Sequence, residues 1–219
     1  MLNKNNNLDQ FWMPFTANRQ FKAKPRLLES LKRMLAYSTI SHMGFLVLGI
    51  LAGTPAGLSA SLFYAVVYVL MSLAGFGVLL LLSRAGVDCE TLDDLKGLNR
   101  KNSWYAFLML VVMFSMAGIP PMVGFNAKLA VLKSVVDIGL IWLAVVGVVF
   151  SLIGAFYYLR VVKVMYFDEA TDAEPVTQVG MDMRVLLSVN AIALLVLGIV
   201  PDGLYAACVE AMKQSLQVL

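Results

Sequence analysis

Long apolar runs alternate with short polar stretches along this chain from Met34 onward. Crossing the hydrocarbon core of a bilayer takes about 20 apolar residues in a helix. Runs at 34–52, 58–82, 104–136, 140–162 and 185–200 approach or exceed that length and predict membrane-spanning helices. The connections alternate too. Gly53-Thr54-Pro55-Ala56-Gly57 and Asp137-Ile138-Gly139 are short, whereas 83–103 and 166–184 are longer and charged. The pattern predicts two parts: a polar, basic arm over 1–30 and a membrane domain over 31–219. In the arm, Lys4, Arg19, Lys22, Lys24 and Arg26 are interspersed with Phe11, Trp12, Phe15 and Phe21. Such a segment reads as a disordered or surface-lying arm, or as an interfacial anchor. It lacks the apolar centre of a secretory signal.

The third run is anomalous in two ways. It holds about 33 residues, or roughly 50 Å of helix, against a core of about 30 Å. It is also interrupted by Gly118-Ile119-Pro120-Pro121, with Gly124 close behind. Proline removes a backbone donor and clashes with the preceding turn. In a membrane, freed backbone is tolerated only inside protein or beside a water-filled cavity. Gly118, Pro120, Pro121 and Gly124 are therefore the expected helix break. Two geometries fit: a re-entrant hairpin, or one crossing made of two half-helices.

Charge decides between them. Lys and Arg gather on the cytoplasmic side of membrane proteins. Lys32 and Arg33 precede the first run; Arg84, Lys96, Arg100 and Lys101 follow the second; Arg160, Lys163 and Arg184 lie between the fourth and fifth. All fall on one face if each run crosses once, and a hairpin would split them. The expected fold is all-α and integral to the membrane, with about five transmembrane helices, one of them discontinuous. The charged loops are expected in the cytoplasm and the C-terminus, with Lys213, outside.

Composition agrees. The chain is 60% hydrophobic and 14% charged, against roughly 45–50% and 25% for soluble domains. The formal net charge of +3 is modest, and the basic residues flank apolar runs, so no nucleic-acid partner is expected. No phosphate loop, dinucleotide fingerprint or zinc spacing is present, and no metal site is expected. Cys89 and Cys208 follow no motif spacing.

Inside the broken run stands Lys128, the only charge between Lys101 and Lys133. A cation in hydrocarbon costs roughly 2.5–3.5 kcal/mol on insertion scales. One reading is a proton-handling lysine at the break. The other is a lysine snorkelling to the interface, although about eight residues, or ~12 Å of helix, separate it from the end of the run. Lys133, with Asp137 four residues on, reads as an interfacial anchor. His42, the only histidine, lies inside the first run. Its chemistry suits a proton relay; the alternative is a structural histidine bonded to Ser38 or Ser41. Tyr64 and Tyr68 share one face of the second run at i, i+4 and are either packing residues or relay members. Gly44, Gly49, Gly75, Gly77, Gly147 and Gly154 permit close helix approach. No Asp or Glu is embedded in a run, so a charge partner for Lys128 is not visible.

Three blocks carry a resemblance: Leu31-KRMLAYSTISHMGF-Leu46, Met116-AGIPPMVGFNAKLAVLK-Ser134 and Phe150-SLIGAFYYLRVVKVMYF-Asp168. They resemble the antiporter-like membrane subunits of respiratory complex I (NADH:quinone oxidoreductase), in particular the subunit N type. The resemblance covers about residues 31–219. It implies that the blocks are the tenth, twelfth and thirteenth helices of that family and that Lys128 is its proton-handling lysine on the broken helix. Larger relatives carry histidines where Tyr64 and Tyr68 stand; the subunit N type lacks them, as here. The implied task is proton translocation coupled to quinone reduction, in the bacterial inner membrane, beside other membrane subunits of complex I. Quinone, NADH, FMN and iron–sulfur centres are implied elsewhere in the complex and no cofactor on this chain. The family's first inverted repeat, with its glutamate–lysine pair, and its ninth helix have no counterpart here, which is expected of a truncated, frameshifted or split subunit. Two other readings stay open: a subunit of a multisubunit cation/proton antiporter, and a structural remnant without transport.

Overall fold

The computed structural model describes residues 31–84, 91–169 and 180–217. The basic arm and Cys89 lie outside the described residues. In chain order the helices are α1 (Leu31–Leu51), α2 (Pro55–Arg84), a 3-10 turn (Leu92–Leu95), α3 (Leu98–Lys101), α4 (Ser103–Ala117), α5 (Val123–Asp137), α6 (Ile141–Phe167), α7 (Met181–Ile199) and α8 (Asp202–Gln217). No strand occurs among the described residues. α1, α2, α6 and α7 are each long and apolar enough to cross a membrane. α4 and α5 have 15 residues each. That is about 22 Å of helix, too short to cross alone, and together they form the discontinuous crossing.

Local sequence explains the ends. Gly53 takes a left-handed conformation to close α1. The Thr54 hydroxyl then accepts the Gly57 N–H at 3.0 Å and caps α2, and Pro55 occupies the first helical position, where no donor is needed. α1 and α2 touch through Gly49 and Gly57: a Cβ on Gly49 would collide with Ser61 Oγ and the Gly57 carbonyl. The spacing of the other glycines is used unevenly. Gly75 and Gly77 abut Met116 and Leu187, but a Cβ on Gly44 would meet nothing within 4 Å.

Contacts fix the direction of each crossing. At one end Gly97 N–H donates to the Val164 carbonyl at 3.2 Å, tying the 83–103 connection to the end of α6, and Trp104 Nε1, at the start of α4, donates to Ser188 Oγ in the first half of α7. At the other end Gly147 of α6 lies against Leu132 of α5 and Leu48 of α1. Ser103 and Asp137 are thus at opposite ends of the bundle, and the α4–α5 segment crosses once rather than turning back. The ion pairs Lys96–Asp93 (2.7 Å) and Lys163–Asp168 (3.5 Å) mark the charged end.

The core centres on α2 and α4, where Phe63, Tyr64, Met71, Tyr105, Leu108 and Met109 are fully buried. The outer faces are apolar: Ile141, Trp142, Val145, Phe150, Leu152 and Phe156 of α6 are all exposed. Water would not tolerate such a surface, whereas acyl chains do. This is a multi-pass membrane fold. One element goes beyond the sequence expectation, which assigned no helix to 201–219 within the membrane domain. α8 is a helix that packs on α2, with Tyr205 edge-on to Phe63 at 5.4 Å and Cys208 buried. Its apolar residues are too interrupted by Glu210, Lys213 and Gln214 to read as a span.

Candidate functional site

α4 stops because Gly118 adopts φ +80°. That conformation lets Ile119 N–H reach the Phe114 carbonyl (3.0 Å) and Gly118 N–H the Ser115 carbonyl (3.1 Å), the paired closure of a Schellman motif. Phe114 and Ser115 are thereby satisfied. The next two carbonyls, Met116 and Ala117, have no donor from the backbone, since a helix leaves its last carbonyls open and Pro120 and Pro121 carry no N–H.

Lys128 fills that vacancy. It lies about a turn and a half into α5, and helical side chains lean toward their own N-terminus, so its stem runs back to the break. Nζ donates to Met116 O at 3.0 Å, to Ala117 O at 2.9 Å and to Ser151 Oγ of α6 at 2.8 Å. An ammonium has three donors, and all three are used. The residue is 8% exposed, and its head faces protein oxygens rather than the interface, so snorkelling is not its geometry. The charge partner missing from the sequence is thus the end of α4 itself. The C-terminus of a helix carries about half a negative charge, and the ammonium sits on it. Phe45 adds a ring face 5.5 Å from Nζ.

The two half-helices are clasped beside this cage. Ser115 Oγ accepts the Gly124 N–H at 3.3 Å. Gly124 lies so close to α4 that a Cβ there would overlap the Ser115 carbonyl. On the far side Gly198 of α7 presses against the Pro121 carbonyl with no room for a Cβ, and Asn126 Nδ2 donates to Gly198 O at 2.8 Å. The break is held by three helices.

His42 anchors a second polar cluster. Nδ1 is 2.8 Å from Tyr64 OH and Nε2 is 3.2 Å from Tyr158 OH. Its partners are these two tyrosines and not Ser38 or Ser41; the Ser38 hydroxyl donates to Leu35 O instead. Tyr68 stands apart from the pair: its hydroxyl donates to Thr39 Oγ1 at 2.8 Å, and it meets His42 only ring to ring, at 5.1 Å. Phe45 separates the clusters, lying over Lys128 Nζ on one side and stacked on Tyr64 at 5.8 Å on the other.

A cavity of about 320 Å³ joins them, lined by residues of α1, α4, α5 and α6. Ser38, Ser41, His42, Lys128, Ser151 and Tyr158 supply its polar lining. Met34 and Tyr37 line it as well, so it extends from the break toward the charged end of the bundle. Water needs room and two to four polar partners to occupy such a space, and both are present. Among the described residues, no carboxylate lines the cavity.

Sequence reasoning singled out Lys128, His42, Tyr64 and the break. It missed Ser151, Tyr158, Ser115 and Gly198. Ser151 and Tyr158 are seven residues apart on α6, two helical turns, and so share a face. That spacing was the available signal.

Comparison with known proteins places these features in a wider group. The family described as NADH:quinone oxidoreductase/Mrp antiporter, transmembrane, matches residues 28–154. NADH-quinone oxidoreductase subunit N of Laribacter hongkongensis is 71% identical over 87% of this chain and 39% of its own length. The subunit N of Thiobacillus denitrificans is 61% identical over 85% and 38%. The chain thus spans about two-fifths of the length of these curated relatives. Among solved structures, a chain of respiratory complex I from Thermus thermophilus aligns with TM-score 0.68 and 28% identity, covering 82% of this chain and 40% of that one. A chain of the Mrp complex from Dietzia aligns with TM-score 0.74 at 22% identity, covering 84% and 42%, and shares the fold. With its five crossings, its broken helix and a family match over more than half its residues, the chain belongs to the NADH:quinone oxidoreductase/Mrp antiporter membrane family.

Proposed function

We propose that this chain forms the proton-handling part of a subunit N-type membrane subunit of NADH:quinone oxidoreductase, moving protons across the bacterial inner membrane while quinone is reduced elsewhere in the complex. The observation that carries the reading is the Lys128 ammonium, buried inside a span and held by three neutral oxygens at a helix break. Neutral acceptors stabilise the charge without locking it. A buried carboxylate would make removal of the proton far costlier, because it would leave an unpaired charge behind.

In this mechanism Lys128 is the group that accepts and releases the proton. Gly118, Pro120, Pro121 and Gly124 keep the two carbonyls of α4 open so that the lysine can reach them. Water in the cavity links Lys128 to the charged end of the bundle, past His42, Tyr64 and Tyr158. His42 relays because one ring nitrogen accepts while the other donates. Tyr64 acts with it through its direct bond; Tyr68 plays a supporting part through Thr39. The charged loops face the cytoplasm and the C-terminus lies outside. Other membrane subunits of the complex adjoin the apolar faces, with lipid on the remainder. NADH, FMN, quinone and iron–sulfur chemistry belong to those partners and none of it to this chain.

The test is Lys128→Ala placed in a full-length relative assembled in its complex. The expected result is loss of proton pumping in membrane vesicles; pumping at the normal proton-to-electron ratio overturns the reading. The family description, which names the Mrp antiporter beside NADH:quinone oxidoreductase, leaves a second reading, a subunit of a cation/proton antiporter. Sodium-dependent proton exchange in vesicles without NADH would establish it. Relatives at 71% and 61% identity carrying the subunit N name favour the first.

A further inference from the structure

We propose that Ser151 is the positioning and relay residue through which Lys128 exchanges its proton with cavity water, a refinement that rests on the proton-handling reading of Lys128. The three oxygens around Nζ are not equivalent. The Met116 and Ala117 carbonyls can only accept, and they face the break. Ser151 Oγ both accepts and donates, and it lines the cavity; Met116 lines it too but offers the lysine only a carbonyl. Among the described residues its only hydrogen-bond partner is Lys128. Its hydroxyl is therefore free of the bond to its own helix that most buried serines make. Ser38, Ser59, Ser134 and Ser188 all make that bond here.

While the lysine is charged, Nζ donates to Oγ and the serine hydrogen points into the cavity. When the proton leaves, an N–H bond of the ammonium breaks as a new O–H bond forms on Oγ. The original hydroxyl hydrogen passes at the same moment to a cavity water. The serine ends neutral, the lysine is a free amine, and the water carries the charge. The new O–H then points at the nitrogen lone pair, so the amine keeps its place against the two carbonyls. Loading runs the same steps in reverse. A serine locked to its own helix could not make this exchange of roles.

The full 219-residue chain, labelled with nitrogen-15 lysine and placed in lipid nanodiscs, gives a direct reading. The Lys128 side-chain signal is assigned by its loss in Lys128→Arg. Exchange of its Nζ hydrogens with water is expected to slow by about tenfold or more in Ser151→Ala, the scale of a lost proton-transfer group. Ser151→Thr is expected to keep the native rate. A serine that merely clasped the lysine would give the opposite result: removing it would open the cage and speed exchange. Unchanged or faster exchange in Ser151→Ala, or slowing in Ser151→Thr, overturns the proposal. Ser151→Val, matched in shape to Thr, carries the same comparison if the alanine chain does not fold. None of these readings involves pumping, so failure here is separate from failure of the Lys128→Ala test.

Discussion

A lysine survives inside a membrane only if each N–H finds an acceptor, and Lys128 finds them because Gly118 is glycine. A Cβ at Gly118 would lie 2.9 Å from Lys128 Cδ and 3.2 Å from Nζ, on backbone already at φ +80°. Gly118→Ala is expected to cost about 1–2 kcal/mol for the left-handed conformation alone and also to push the ammonium off the Met116 and Ala117 carbonyls. Denaturant titration in micelles checks the first effect. The second appears as reduced pumping in a full-length relative; a variant with native stability and native pumping would refute the cage. At this scale the sequence was informative where a residue was chemically out of place. Lys128, His42 and the prolines stand out against apolar neighbours. Ser151 and Tyr158 do not, because a hydroxyl in a span ordinarily satisfies itself on its own helix or in packing. Only their partners, distant in sequence, give them meaning. His42 shows the same limit: its position was legible, but nearby serines looked like partners when tyrosines from two other helices were.

The discontinuous crossing owes its shape to a few local bonds, and Ser115 is the most exposed to test. Its hydroxyl accepts the Gly124 N–H across the break, and it is fully buried. Ser115→Ala leaves that donor without a partner, and an unsatisfied buried group costs about 1–3 kcal/mol. The expected outcome is a loss of stability of that order, with hydrogen exchange accelerating first at the start of α5. Protection equal to wild type at Gly124 would mean that the clasp contributes nothing. Of this element, the glycine and proline signals and the excess length for one span were readable, since all three are local properties of the chain. The charge distribution then separated a single crossing from a hairpin. The contribution of α7 was not readable: Gly198 and Asn126 meet at the break from positions 72 residues apart, and nothing in the spacing of either announces the contact. α8 escaped notice for a related reason, since its apolar residues support packing on α2 but not a span.

At the scale of the whole molecule the bundle is polarised, and that polarity gives the cavity its direction. The connections at 91–102, the ends of α2 and α6 and the start of α7 share the charged end, while Asp137 and Gly139 lie at the other. The space beside Lys128 extends toward the charged end through Met34 and Tyr37. On the proposed reading, a proton reaching the lysine by that route starts from the face where Arg100 and Lys101 stand, the face expected in the cytoplasm from the positive-inside bias. The two faces can be distinguished chemically. Arg100 and Asp137 are on or near the surface at opposite ends. With Cys89 and Cys208 replaced by alanine, Arg100→Cys and Asp137→Cys each provide one thiol. A membrane-impermeant maleimide added to intact cells is expected to label Asp137→Cys and to label Arg100→Cys only after the membrane is opened. Labelling of both from outside would make the α4–α5 segment re-entrant. Labelling in the reverse order would keep the fold but turn the cavity toward the external face, so that the protons reaching Lys128 through it would come from the other side.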